Sequence, residues 1–370
     1  MQQQIPPVPD PRMSEGSQNA TIHRLAGIEA IRGVAALAVV LYHFPAALQD
    51  LLGFSAPIAA VFRNGNLGVD AFFILSGFVI ALSLRSGPWT GRYFGRFVLR
   101  RSIRLDPPYW FAIALEVFLG WLGVRFFGDP SYDFPNAADL GAHLFYLQGL
   151  LGRMQVSDVF WTLCFEIQFY LALVGLVVLA HTRAVSVLIS PRPLLGTVLV
   201  LVTALSLAVR NGWMTSPNDG LAIIRAYQFA MGVTMFLLAT QRISWPAAMA
   251  LIVPIIGIRL LDGAVAEVLV MIAAAGACYA ALRSPRFNRA TDGRVLQLLG
   301  RISYSLYLYH ASIVWRVATV ALKLVPRYGI GMAWLGLVGG IGGSIAFAWV
   351  LNRVLETPMM QVSRRVKLSP

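Results

Sequence analysis

Charge is scarce in this 370-residue chain: 13% of residues are Asp, Glu, Lys or Arg, against 57% hydrophobic. With a mean hydropathy of +0.67, that imbalance excludes an ordinary soluble domain. Cysteine is nearly absent. Cys164 and Cys278 both fall inside apolar runs, so neither a disulfide framework nor a zinc site can be built from them. The chain has no glycine-rich phosphate loop, which argues against nucleotide hydrolysis, and no repeat period or heptad pattern divides it. A signal peptide is missing too. Residues 1–21 lack its basic start and apolar core and, being polar and proline-bearing, read as a disordered cytoplasmic tail.

Arginine and long apolar runs are what the chain does have. A formal charge of +13 invites a nucleic-acid reading, but the arginines sit in short loops between apolar runs. There they orient helices in a bilayer, so no nucleic-acid partner is expected. Apolar runs near 27–51, 66–84, 107–126, 158–181, 194–209, 220–239, 246–261, 264–283, 296–322 and 330–355 predict an all-α, polytopic membrane bundle of about ten spans. Alternate connections carry the arginines: Arg85 to Arg104, Arg183 and Arg192, Arg242, then Arg283 to Arg294, with Arg364, Arg365 and Lys367 in a basic tail over 358–370. The positive-inside rule then puts both termini in the cytoplasm. The longest connection on the other side, 127–157, is mildly acidic (Asp129, Asp133, Asp139), with an apolar patch at Leu144 to Leu151 expected to lie on or re-enter the membrane.

Ionisable residues inside a bilayer are expensive and usually functional. The first run carries Glu29, Arg32 and His43, and eleven helical steps put Arg32 and His43 on one stripe, roughly 16 Å apart. Counted from the span ends, His43, Glu166 and His310 fall in one layer of the outer leaflet. A histidine paired with that carboxylate would be a competent general base. The plainer alternative is that Glu166 and His310 only fix helix packing. In the connection GRYFGRFVLRRSIRLDPPYW, Arg92, Arg96, Arg100 and Arg104 recur every fourth residue, with Arg101 alongside. A helix there presents a basic stripe, with Phe94, Phe97 and Leu99 toward lipid and Pro107 and Pro108 ending it. Such a stripe serves either lipid phosphates or an anionic ligand, which guanidinium groups bind bidentately. Coenzyme A fits the combined geometry: phosphates at one end of a long arm, a thioester at the other. Asp70 lies near the outer interface, facing an acceptor path or paired with Arg63, and Gly77 marks a close helix contact.

GIEAIRGVAALAVVLYHF, GVDAFFILSGFVIA, RRSIRLDPPYW, VFWTLCFEIQFYL and GRISYSLYLYH, in that order over about residues 22–355, resemble the acyltransferase-3 family of bacterial membrane O-acyltransferases, of the stand-alone type. The resemblance implies a membrane acyltransferase domain over 22–357 in the bacterial cytoplasmic (inner) membrane. It implies acyl-coenzyme A, usually acetyl, as a co-substrate rather than a permanent cofactor, no metal, and a hydroxyl of a sugar, polysaccharide, lipid-linked glycan or small glycoside as acceptor. By the same resemblance His43 is the essential histidine, as base or acyl carrier, oriented by Glu166. Arg32, Arg100, Arg101 and Arg104 bind the donor, and Asp70, Trp161 and His310 stand nearby. Glu29, Thr162 and Cys164 depart from the commoner residues and receive no role. The rival reading is a transporter or flippase for an anionic glycan or glycolipid, against which the missing pseudo-repeat counts.

Overall fold

A computed structural model describes residues 25–84, 87–127 and 132–368; the expected disordered tail, Arg85 and Asp129 lie outside the described residues. All regular elements among the described residues are helical. In chain order they are α1 (Ala26–Tyr42), α2 (Ala46–Leu52), α3 (Ala56–Arg63), α4 (Gly68–Ser83), α5 (Gly91–Phe127), α6 (Ala137–Leu144), α7 (Trp161–Ala180), α8 (Arg183–Ser186) and α9 (Pro191–Arg210). There follow α10 (Ala226–Ala239), α11 (Trp245–Leu261), α12 (Val265–Arg283), α13 (Pro285–Thr291), α14 (Arg294–Tyr328), α15 (Gly331–Leu351) and, through a π-helical turn at Asn352–Glu356, α16 (Thr357–Arg364).

Each of the ten expected apolar runs is helical. Among the described residues, eight helices are long and apolar enough to cross a membrane, the α1–α2 pair together forms one such segment bent by 88°, and α11 is a 17-residue apolar helix. The protein is a polytopic membrane protein. Two expectations about individual helices fail. The run 27–51 is not one helix: α1 stops at Tyr42, and Pro45, which lacks an N–H, begins the turn into α2. Conversely, Pro107 and Pro108 do not end α5, which runs through both and joins the arginine stripe to its span. Two tyrosine hydroxyls of α14 brace that proline pair, Tyr304 donating to the Leu105 carbonyl at 3.0 Å and Tyr309 to that of Pro108 at 2.7 Å. These bonds tie α14 to this part of α5; they go to carbonyls other than those of Ile103 and Arg104, which the two prolines leave without an intrahelical donor.

α14 runs between α1 and α15, while α4 lies against α10 and α12, with α1 bridging the two groups. Glycines set the closest approaches. A Cβ at Gly300 of α14 would meet the Glu29 carbonyl of α1; one at Gly77 of α4 would meet the Phe229 carbonyl of α10, and one at Gly232 of α10 the Ile74 carbonyl. The packing role read for Gly77 holds. Because the obstacle is backbone, Gly77→Ala forces two helices apart. It is expected to lower the thermal midpoint in detergent, corresponding to about 1–3 kcal/mol, whereas Gly276→Ala, where a Cβ meets nothing, should not.

The segment after α5 is folded, not merely laid on the bilayer. Asn136 and Asp139 form a capping box for α6. His143 is fully buried: Gln148 donates to the Tyr109 hydroxyl, which faces His143 Nδ1 at 3.0 Å, while Nε2 accepts from the Val156 N–H at 3.2 Å and lies 3.0 Å from the Met154 carbonyl. Burial holds this ring below the ordinary imidazole value of 6.5. The folded state therefore favours the neutral ring, and its contribution is complete above 6.5 and lost as the pH falls through the folded value. Amide exchange over residues 137–156, corrected for intrinsic rate, should accelerate on acidification below about pH 6. The acceleration should be absent in His143→Gln.

Candidate active site

The break after α1 creates the first half of the site. At Tyr42 the helix gives out, and His43 is its C-cap, with Gln49 Nε2 donating to the freed carbonyl of Phe44 at 2.8 Å. His43 thus stands at the helix end, not a few turns inside it. His310, on α14 and fully buried, places its Nε2 3.1 Å from His43 Nδ1, the two rings meeting edge to face. Carbonyl chemistry fixes both tautomers. His310 Nδ1 faces the carbonyls of Tyr307 (2.7 Å) and Leu306 (3.2 Å), which only accept, so Nδ1 carries the proton and Nε2 the lone pair. His43 Nδ1 lies between that lone pair and the Val39 carbonyl at 2.8 Å, and must also be an N–H. The unprotonated nitrogen of the pair is therefore His43 Nε2.

His43 lines a cavity of about 1040 Å³ walled by α1, α2, the start of α7 and α14. Tyr42, Gln49, Asp50, Asn66, Asp158 and Trp161 also line it, mixing ring faces with amides and carboxylates. Asp158 is the acid whose charge reaches His43. A second, narrow cavity of about 100 Å³ lies beside it, lined by Arg32 of α1, Ser76 of α4, Arg101 and Arg104 of α5, Thr162, Glu166 and Tyr170 of α7, and Ser303 and Tyr304 of α14. Val69 and Tyr307 line both. Tyr307 is held across the junction, its hydroxyl 2.7 Å from Thr162 Oγ1 and 3.1 Å from the Val159 carbonyl.

The narrow cavity is strongly cationic. Arg101 stacks over Tyr170 with its guanidinium carbon 4.5 Å from the ring centroid. Glu166 is the carboxylate among its lining residues, and it accepts from Ser76 Oγ at 2.8 Å. Among the described residues no ion pair engages Arg32, Arg101 or Arg104, and Arg104 Nε is buried without a partner. Unpaired buried guanidinium groups are costly unless an anion joins them. The donor set suits phosphate.

The acyltransferase domain family matches residues 25–353. The chain belongs to that family. Over 144 residues it is also 33% identical to a protein of Acidianus two-tailed virus named "Putative acetyltransferase ORF330", an alignment covering 39% of this chain and 38% of that protein. The chain thus spans well under half the length of this curated relative. No solved structure matches it.

Within the acyltransferase domain, the expected site residues fall into three groups. His43, His310 and Trp161 meet at the wide cavity or directly behind it, while Arg32, Arg101, Arg104 and Glu166 meet at the narrow one. Arg100 and Asp70 line neither. The expected pairing of Glu166 with His43 is corrected: Glu166 accepts from Ser76, and His43 is oriented by His310 and Val39. The depths were counted from a helix assumed to reach Leu51, which set His43 too deep. Asp70 pairs with Arg225 (3.2 Å) and Gln228 rather than Arg63, within a buried network that continues through Tyr227 to Glu267 and Arg259. Phe97, expected toward lipid, is buried at 4% exposure. Sequence reasoning missed Asp158, Ser76 and the junction role of Tyr307. For the break at His43 the signal was available in Pro45; for the others no local signal exists.

Proposed function

We propose that the protein is a membrane-bound O-acyltransferase that moves an acyl group, acetyl by preference, from acyl-coenzyme A to a hydroxyl of a sugar or glycan. The narrow cavity takes the donor's pyrophosphate on Arg32, Arg101 and Arg104. The pantetheine arm passes Tyr307 and Val69, and the thioester reaches His43 in the wide cavity. The observation that carries this reading is the junction itself: a cationic chamber in which Arg104 Nε is buried without a partner and the cavity of a histidine with a free lone pair share two lining residues. The acetyl preference is supported by the name of the viral relative. A sugar acceptor is supported by the wide cavity's lining, where Trp161 and Tyr42 offer faces to C–H groups and Gln49, Asn66, Asp50 and Asp158 offer partners to hydroxyls. The arginine end faces the cytoplasm of a bacterial inner membrane, in keeping with loop charge.

In the transfer step, His43 Nε2 takes the hydroxyl proton as the acceptor oxygen attacks the thioester carbonyl. The tetrahedral intermediate then collapses, the C–S bond breaks, and the thiolate leaves with the proton from His43. The growing charge on His43 is shared through Nδ1–H with the Val39 carbonyl and His310 Nε2. Purified protein, acetyl-coenzyme A labelled in the acetyl group and a single turnover test the reading. Release of coenzyme A only when acceptor is present supports direct transfer; label retained on His43 without acceptor marks an acyl-imidazole route through the same nitrogen. No release under either condition, with glycan flux intact, would make the protein a transporter.

A further inference from the structure

Beyond His43 the chain stops crossing the bilayer and turns along it. α1 begins where the Gly27 N–H donates to Asn288 Oδ1 at 3.0 Å, beside the basic connection 283–294. Its 17 residues rise about 25 Å. Against a hydrocarbon core of about 30 Å, and with the arginine end inward, His43 stands roughly 5 Å short of the outer boundary. α2 leaves α1 at 88° and so lies in the membrane plane, and α3 follows it after Gly53, which is left-handed at φ +60°. Gln49 and Asp50 of α2 and Ala59, Phe62 and Arg63 of α3 line the wide cavity. Leu51 of α2 and Ile58 and Val61 of α3 do not line it and are exposed, which at this depth means that they meet lipid. The two helices are fastened by one buried side chain each, Leu48 and Phe62.

A cavity walled by two short interfacial helices, with its basic nitrogen beneath the headgroup plane, is poorly placed for a free polysaccharide and well placed for a sugar that travels in the membrane. Tethering to lipid holds such an acceptor at the level of His43 before it binds, so less translational freedom remains to be lost. Charge on the wall suits the same kind of molecule. Arg63 is the guanidinium among the cavity's lining residues, and it is exposed at the end of α3. Among the described residues no ion pair engages it, neither with Asp50 or Asp158 of the same cavity nor with another carboxylate. One interfacial helix thus offers an apolar face at Ile58 and Val61 and an unpaired guanidinium at Arg63, which complements an amphiphile with an anionic link. We propose that the acceptor is a lipid-borne glycan of the outer leaflet, its sugar in the wide cavity, its phosphate link on Arg63 and its hydrocarbon along Ile58 and Val61. The inference rests on the acyl transfer proposed above and names the form in which the acceptor arrives. The step itself is unchanged: the sugar oxygen forms the ester bond, the thioester C–S bond breaks, and the hydroxyl proton passes through His43 to the thiolate.

The test uses inverted membrane vesicles of the host carrying the full chain, pulsed with acetyl-coenzyme A labelled in the acetyl group and chased with unlabelled donor; label that also appears with His43→Ala protein is subtracted. Label should enter chloroform–methanol-extractable material first, and mild acid, which cleaves sugar phosphates, should release it into water. Arg63→Gln should slow this labelling by roughly 10-fold or more. Arg63→Lys, which keeps the charge, should slow it less, and Ile58→Ser combined with Val61→Ser should slow it several-fold. Arg125→Gln, on the same side of the membrane but lining neither cavity, should label as wild type. Label that goes directly to water-soluble or wall-bound glycan overturns the inference and leaves acyl transfer standing. Extractable label that resists mild acid, or that forms at the wild-type rate in Arg63→Gln, removes the phosphate link from the proposal. Vesicles in which no label transfers and no coenzyme A is released overturn both readings.

Discussion

Replacing His43 by alanine should lower kcat by roughly 10²- to 10⁴-fold, the range that a positioned general base contributes, while the donor KM stays within a few-fold of wild type. The expectation follows from the tautomer chain. His310 is fixed as an acceptor at Nε2 by two carbonyls, and His43 is fixed as a donor at Nδ1 by that nitrogen and by Val39. His43 therefore meets the wide cavity as a neutral ring with its basic nitrogen free, ready to take a proton at neutral pH without first losing one. Alanine removes that nitrogen and leaves α1 intact, since the ring lies beyond the helix end; the buried His310 Nε2 loses its donor, so the thermal midpoint should fall by an amount corresponding to about 1–3 kcal/mol without loss of the fold. His310→Gln tests the second ring separately: it keeps an acceptor near Nδ1–H, and the Val39 carbonyl still holds the tautomer, so its loss of kcat should be smaller than that of His43→Ala. Coenzyme A release by His43→Ala protein at the wild-type rate would remove His43 from the chemistry.

The second large effect concerns the donor. Arg101→Ala combined with Arg104→Ala should raise the acetyl-coenzyme A KM by roughly 10²-fold or more, with kcat changed far less. Each guanidinium–phosphate interaction contributes about 1.5–3 kcal/mol, and groups that grip the non-reacting end bind ground and transition states alike. The cavity is narrow, Arg104 Nε is buried without a partner, and Arg101 is clamped on Tyr170. Lysine at these positions should rescue only part of the loss, because an ammonium cannot reproduce the planar fork or its stacking on the ring. Measuring initial rates of coenzyme A release against donor concentration separates KM from kcat. A donor KM unchanged in the double variant would reduce these arginines to signals of membrane orientation.

Much of the architecture was legible in composition and pattern. Scarcity of charge and ten apolar runs sufficed for a helical membrane bundle, and most run boundaries match helices within a few residues. The two largest departures involve proline. Pro45 falls where α1 ends, whereas α5 runs through Pro107 and Pro108, next to which Tyr304 and Tyr309 of α14, two hundred residues away, donate to the Leu105 and Pro108 carbonyls. A local rule does not tell these two cases apart.

The candidate site divides along the same line. Helical periodicity was enough to put Arg32 and His43 on one stripe of the first segment, and they do line adjoining cavities. Arginines at every fourth residue likewise predicted a basic face. Residue identity also fixes which groups are costly in a bilayer and so which ones need partners. Which partners they find was decided by the tertiary structure alone. Glu166 meets Ser76 in the cavity that Arg32, Arg101 and Arg104 also line, His43 meets His310, and Arg100 does not join Arg101 there. Period and rise define positions along and around a single helix, but contacts between helices depend on rotation and approach set by backbone-to-backbone packing at Gly33, Gly77, Gly232 and Gly300, a property of the assembled bundle and of no one segment.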